Sequence, residues 1–200
     1  SPHEEEYQAA SCCQPERDLN GLHDHDYKPA PIFHISGNRI VSARATRGRV
    51  FMGVELEYNA PREYGEASDC RFDILMKADP YENRYYPKED GSVTGGELVT
   101  HPGTMAAWRD GSVFDWTTWE EWKRTSKAVA GGECGFHVHI NRTAFSGSPH
   151  LYRFHRLFTL NERAWTSIAR RQTHWAKWEW DDRSPSIAYG KFKGRARGDR

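Results

Sequence analysis

His137 and His139 stand two residues apart in Cys134-Gly135-Phe136-His137-Val138-His139-Ile140-Asn141, interleaved with apolar Phe136, Val138 and Ile140. Side chains alternate across a strand, so this spacing puts both imidazoles on one face and the apolar set on the other. Two neighbouring imidazoles can coordinate a metal or grip an anion. The design recurs twice. In Gly53-Val54-Glu55-Leu56-Glu57-Tyr58 the carboxylates of Glu55 and Glu57 share a face. In Gly96-Glu97-Leu98-Val99-Thr100, Glu97 sits inside an apolar run. If these three strands pair, their polar sets converge on one surface. Two carboxylates about 5 Å apart repel by about 3 kcal/mol at an effective dielectric of about 20. Either one of them takes up a proton or a divalent cation neutralises both. Oxygen ligands with one or two imidazoles suit Mg²⁺ or Mn²⁺ better than metals that seek thiolates.

The elements that must position these residues can be read in order. Residues 49–58 form a strand that Pro61 ends. A short helix is expected around Cys70 to Lys77. Arg84-Tyr85-Tyr86-Pro87-Lys88 reads as a strand, with Asp90-Gly91 as a tight turn and Gly95-Gly96 as a bend before Glu97. Thr104 can cap a short helical segment. Val113, Trp116, Trp119, Trp122 and Val129 have helical spacing, with Ser112 as N-cap, Asp115 three residues on, and Gly131-Gly132 as the stop. The bland reading of these Trp residues, core packing, is preferred over ligand stacking. The His strand then reads as buried. A long amphipathic helix is expected over 150–172, with Leu151, Phe154, Leu157, Phe158, Trp165 and Ile168 as its apolar stripe. This order predicts an α+β domain whose curved, mostly antiparallel sheet is covered on one face by helices.

A chain of 200 residues suits one domain with appendages. Residues 1–40 read as a polar N-terminal arm, 41–183 as the core, and 184–200 as a basic C-terminal segment. His23-Asp24-His25-Asp26 could bind a metal, although a solvated loop is the plainer reading. Eight Trp, nine Tyr and nine Phe argue against disorder, despite low mean hydropathy. A formal net charge of zero gives no bias toward nucleic acid. The four Cys form no C-x-x-C pair, so a thiolate zinc site is unsupported, and Cys134 reads as structural. No run approaches the ~20 apolar residues of a membrane span. With no signal peptide visible, a reducing, cytoplasmic setting is expected. There is no P-loop pattern and no constellation around a nucleophilic Ser or Cys.

Taken singly, Glu-x-Glu and His-x-His are modest signals, since surface strands and satisfied cores carry both. Their order is more specific. Gly53-Val54-Glu55-Leu56-Glu57, Lys88-Glu89-Asp90-Gly91-Ser92, Gly96-Glu97-Leu98-Val99-Thr100-His101-Pro102 and Cys134-Gly135-Phe136-His137-Val138-His139-Ile140 follow one another. This set resembles the phage and bacterial amidoligase family, within the glutamine-synthetase-like carboxylate–amine ligases, over roughly residues 49–170. The resemblance implies a glutamine-synthetase-like catalytic domain that joins a carboxylate to an amine. It implies ATP and Mg²⁺ (or Mn²⁺) as cofactors and an acyl phosphate as the activated substrate. Glu55, Glu57 and Glu97 would hold metal, and His137 would ligate metal or contact phosphate, with His139 assisting. Asp90 is the candidate to orient the amine; Lys88 and Arg142 are candidates for phosphate or a substrate carboxylate. The substrates would be a peptide or small molecule, in a bacterial or phage-infected cell. Family members continue into a Thr-x-Glu-x-Arg-like motif that these 200 residues do not contain, so the expected core is incomplete on its C-terminal side.

Two other classes compete. A metal-dependent hydrolase can open on His-x-His, but needs more His and Asp on later strands, whereas His150, His155 and His174 are spaced for helix or loop. A cupin-type oxygenase needs a Glu soon after His-x-His, and Asn141-Arg142-Thr143-Ala144-Phe145 supplies none. A non-catalytic binding module of the same fold is the other alternative. Dependence on nucleotide separates these classes.

Overall fold

The strand carrying Glu55 and Glu57 lies inside a four-stranded antiparallel sheet and is flanked by the two strands carrying Glu97 and the His pair. The computed structural model describes residues 22–59, 72–126 and 128–170. In chain order the elements are β1 (Phe33–Ile35), β2 (Arg39–Val41), β3 (Met52–Tyr58), α1 (Phe72–Ala78), β4 (Tyr85–Lys88), β5 (Gly96–Thr100), α2 (Met105–Arg109), α3 (Trp116–Ser126), β6 (Phe136–Ile140), α4 (Ser148–Leu160) and α5 (Glu162–Ala169). The sheet runs β4-β5-β3-β6, and β1 with β2 forms a separate hairpin. The architecture is therefore α+β with antiparallel sheets, as the sequence order predicts. The acidic start, Cys70 and the basic segment 184–200 lie outside the described residues.

Period-2 alternation explains which face is buried. Tyr58, Tyr85 and Leu98 turn toward the helices and join Phe72 and Leu75 of α1, Ala107 of α2 and Trp122 of α3 in one apolar cluster. Trp122 is 1 % exposed and packs against Tyr58 and Phe72, with ring centroids 5.2 Å and 6.1 Å away. Burial of a side chain of this size contributes about 3 kcal/mol. The core-packing role expected for the Trp residues thus holds for Trp122 and for half-buried Trp119. Trp116 is exposed instead.

The helices are shorter than their apolar periodicity suggests. Thr104 caps α2 as expected, its hydroxyl accepting from Ala107 N. Ser112 does not cap α3. Its hydroxyl donates to Asp110 and accepts from Asn38 N, so it is already committed. Asp115 takes the role, accepting from Thr117 N and from the Thr118 hydroxyl. The helix ends at Ser126, ahead of Gly131-Gly132. The long helix expected over 150–172 is two helices. Asn161 breaks it at φ −120° and ψ 40°, and its side-chain amide donates to Leu157 O.

The largest correction concerns β6, which the apolar alternation suggested was buried. Among the described residues it is an edge strand. Phe136 is 61 % exposed and Val138 52 %, because no described element packs over that end of the apolar face. Together with Met52, Val54, Trp108 and Trp116 they line an open apolar groove of about 480 Å³. Part of the apolar stripe expected for this region is exposed as well, at Leu157, Phe158 and Ile168, and so is Leu160.

Candidate functional site

Cross-strand register sets the polar face. Glu55 stands opposite Val99 on β5 and His137 on β6; Glu57 stands opposite Glu97. Lys88 of β4 pairs with Glu97 and Tyr86 with Val99. Side chains directly opposite share a face. One surface therefore carries Lys88, Tyr86, Glu97, Glu57, Glu55, His137 and His139. The convergence expected from the three motifs is what the sheet builds.

The charges pair off in sequence across this surface. Lys88 Nζ lies 2.7 Å from Glu97 Oε1, with both side chains nearly excluded from solvent. Lys88 also donates to His25 O. Burial pushes the Glu97 carboxyl above its ordinary value, against the pull of Lys88. Glu57 is buried and accepts from Gly135 N at 2.5 Å; His137 Nε2 lies 3.8 Å from its other oxygen. Half-buried Glu55 receives both imidazoles, His139 Nε2 at 3.1 Å and His137 Nδ1 at 3.2 Å. The His139 hydrogen bond is the main reason that the Glu55 carboxyl is pulled down to about 2. Reciprocally, Glu55 raises the His139 imidazole. Three carboxylates face one ammonium, so two negative charges stay uncompensated whenever both imidazoles are neutral. The sharpest conflict is Glu57 against Glu97, two buried carboxylates directly opposite on adjacent strands. Like charges so placed are destabilising unless a cation or a proton intervenes.

The remaining sequence candidates are placed differently. Asp90 caps its own turn, accepting from Ser92 N and the Ser92 hydroxyl, both at 2.7 Å. Partial burial works to raise its carboxyl, but these two bonds, with His25 and Lys88 nearby, bring it below the ordinary value. Arg142 begins a 3-10 turn beyond β6 and is exposed; among the described residues no hydrogen bond or ion pair joins its side chain to the carboxylates. His150 and His155 lie on α4 rather than on a strand of the sheet.

Several residues that shape the site carry weaker sequence signals. Gly135 leaves room for both side chains, since a Cβ there would lie 2.8 Å from His137 Nε2 and 2.9 Å from Glu57 Oε1 and would displace them. Asn141 ties the strands at the other end, accepting from Phe51 N while its amide donates to Arg49 O and Thr143 Oγ1. Tyr86 is buried on the site face, and burial, then the fields of Glu55 and Glu97, push its phenol up. His23 belongs to no solvated loop. It is fully buried, stacks on Tyr27 at 3.8 Å, and holds Glu82 at 2.7 Å. His101 is neutral by its partners, donating from Nε2 to Glu82 O and accepting at Nδ1 from Ile32 N. Burial lowers its pKa to about 4.

The donor types fit a hard divalent cation, since three carboxylates and two imidazoles share one surface. They are paired with one another and with Lys88. Among the described residues no three His, Cys, Asp or Glu side chains are gathered as a ready metal cluster. Glu55, Glu57 and His137 are the most available, because Glu97 is committed to Lys88. Among the described residues no helix is long and apolar enough to cross a membrane. No protein-family model, curated protein or solved structure matches this chain.

Proposed function

We propose that this chain carries the metal and nucleotide face of an ATP- and Mg²⁺-dependent carboxylate–amine ligase of the amidoligase type, built on a glutamine-synthetase-like sheet. The observation that carries the reading is Glu55 and buried Glu57 on one face of β3 with His137 within reach of both, beside a further carboxylate, Glu97, that already has Lys88 as its counter-ion. Such a face holds excess negative charge in a fixed place, which a divalent cation would neutralise. When bound, Mg·ATP supplies the phosphoryl group that activates a carboxylate for attack by an amine.

The chain's own contribution is positioning and electrostatics, which dominate phosphoryl transfer. Glu55, Glu57 and His137 would hold the cation, with His139 fixing the orientation of Glu55 through its hydrogen bond. Lys88 neutralises Glu97 and keeps it from competing for the same cation. Tyr86 closes the site on the β4 side with an aromatic surface and a phenol held in its neutral form.

The test is calorimetric titration of Mg·ATP into the 200-residue chain, beside a Glu55→Ala, Glu57→Ala double variant. Metal-dependent nucleotide binding in the wild type, lost in the variant, is the expected result. Absence of binding by a folded wild type refutes the reading for this chain. Binding of the metal without nucleotide would point to the hydrolase class.

A further inference from the structure

The four-stranded sheet has two edges, and they are treated differently. The β4 edge is closed. Pro87 O accepts from His23 N, Glu89 N donates to His23 O, and Pro87 and Lys88 occupy the strand itself. The β6 edge has none of the usual protection of a bulge, a Pro, a Lys or a covering segment among the described residues. The ladder shows which groups it presents. Glu57 N donates to Gly135 O and Asn141 N to Phe51 O, so odd-numbered residues of β6 bond to β3. By antiparallel alternation the N–H and C=O groups of Phe136, Val138 and Ile140 point outward.

The strand is also a palindrome in chemical type: apolar, His, apolar, His, apolar. A two-fold axis through Val138 would pair it antiparallel with itself. Val138 then meets Val138, Phe136 meets Ile140, and His137 meets His139. Every apolar side chain falls beside an apolar one on one face, and every imidazole beside an imidazole on the other. The outward-pointing residues are the ones that become hydrogen-bonded pairs, so the match in side chains and the match in backbone groups select one register.

We infer that a second copy of this chain docks on β6 by antiparallel edge pairing about Val138, joining two four-stranded sheets into one of eight strands. The interface is isologous, as closed homodimers require. The apolar groove lined by Phe136 and Val138 meets its counterpart across the axis, which covers the two large apolar side chains of this sheet that are most exposed in the single chain. On the polar face each His137 gains the partner's His139 as a neighbour, so the two sites become one continuous surface of carboxylates and imidazoles. The inference does not rest on the ligase reading, because association is read without metal or nucleotide.

The test uses the full 200-residue chain in sedimentation velocity across a wide concentration range. The expected mass is twice the 23.1 kDa of one chain. Val138→Pro removes only an outward N–H and leaves the β3 ladder intact, so this variant is expected to sediment as a folded monomer. Cross-linking supplies a second readout, in a background of Cys12→Ser, Cys13→Ser and Cys70→Ser. Val138→Cys places two Cα atoms about 5.5 Å apart across the axis, within disulfide range, and should form a covalent dimer on oxidation. Phe136→Cys places its two copies about 14 Å apart along the strand direction and should not. A wild type that stays monomeric overturns the proposal, whether another part of the chain or nothing covers the edge. So does a dimer that Val138→Pro leaves intact, or equal cross-linking through positions 136 and 138.

Discussion

Lys88→Met tests how the site tolerates its own carboxylates. At an effective dielectric of about 20, charges 2.7 Å apart attract by about 6 kcal/mol. Much of that attraction offsets the desolvation of two buried ions, so the measurable quantity is the cost of leaving Glu97 unpaired. Removing one partner of a buried pair costs about 3–5 kcal/mol. The cost has a pH signature. Burial already raises the Glu97 carboxyl above 4.5, and loss of Lys88 raises it further. A carboxyl whose folded value is raised favours the fold below its unfolded value, and that advantage disappears as pH climbs through the folded value. The deficit of Lys88→Met should therefore be small at pH 4.5, grow above it, and level off once Glu97 is ionised in both states. Urea denaturation followed by Trp fluorescence at pH 5 and pH 8 reads it directly. Adding Glu97→Gln should restore more than half of the loss at pH 8. A deficit under about 1 kcal/mol at pH 8, or one that does not change with pH, would refute the assignment of this pair as a buried, mutually dependent ion pair.

The Glu55–His139 pair gives a second pH dependence. Glu55, pulled to about 2, contributes stability above its unfolded value that is lost as pH falls; His139, raised above 6.5, contributes stability below that value that is lost as pH rises through its folded pKa. Hydrogen-exchange protection of Phe136–Ile140 in metal-free protein should peak between about pH 4.5 and 6.5 and become flat in Glu55→Gln; equal profiles for the two proteins would contradict this. Gly135→Ala forces a methyl group against His137 and Glu57, and should cost about 1–3 kcal/mol by over-packing and displace the imidazole, seen as a shifted His137 ring resonance. Trp122→Ala empties the centre of the core and should cost about 3–5 kcal/mol in the same urea assay, with the fold's secondary structure retained.

The sequence exposes the polar face of the sheet because alternation is local information. Glu55 with Glu57, and His137 with His139, need only period two to share a face, and their convergence follows once the strands pair. What alternation cannot show is which neighbour a strand has. Phe136 and Val138 look buried in sequence, since an apolar face is the same string whether or not another element covers it; position at the sheet edge decides. Helix limits were misplaced for a related reason. Ser112 and Asp115 are both sound caps, and the Ser112 hydroxyl is already used by Asp110, two residues back, and by Asn38, a partner 74 residues away that no local pattern reveals. The role of Lys88 depended on register with Glu97, a relation between strands rather than within one. The burial of His23 and Tyr86 is not legible in sequence, because it comes from packing between segments more than fifty residues apart.

The strand order also has a consequence for biosynthesis. Of the four-stranded sheet the ribosome releases β3 first, yet both of its neighbours come later, β5 after about forty further residues and β6 after about forty more. At 5–20 residues per second each interval lasts about 2–8 seconds. Through the first interval Val54 and Leu56 emerge without a sheet partner, and the four-stranded sheet cannot close until the His strand has left the exit tunnel. The carboxylates of Glu55 and Glu57 lie on that same waiting strand. Two negative charges on alternate residues oppose its pairing with a like strand on a neighbouring nascent chain. The residues proposed to hold a cation in the finished protein thus also serve as gatekeepers while the protein is being made.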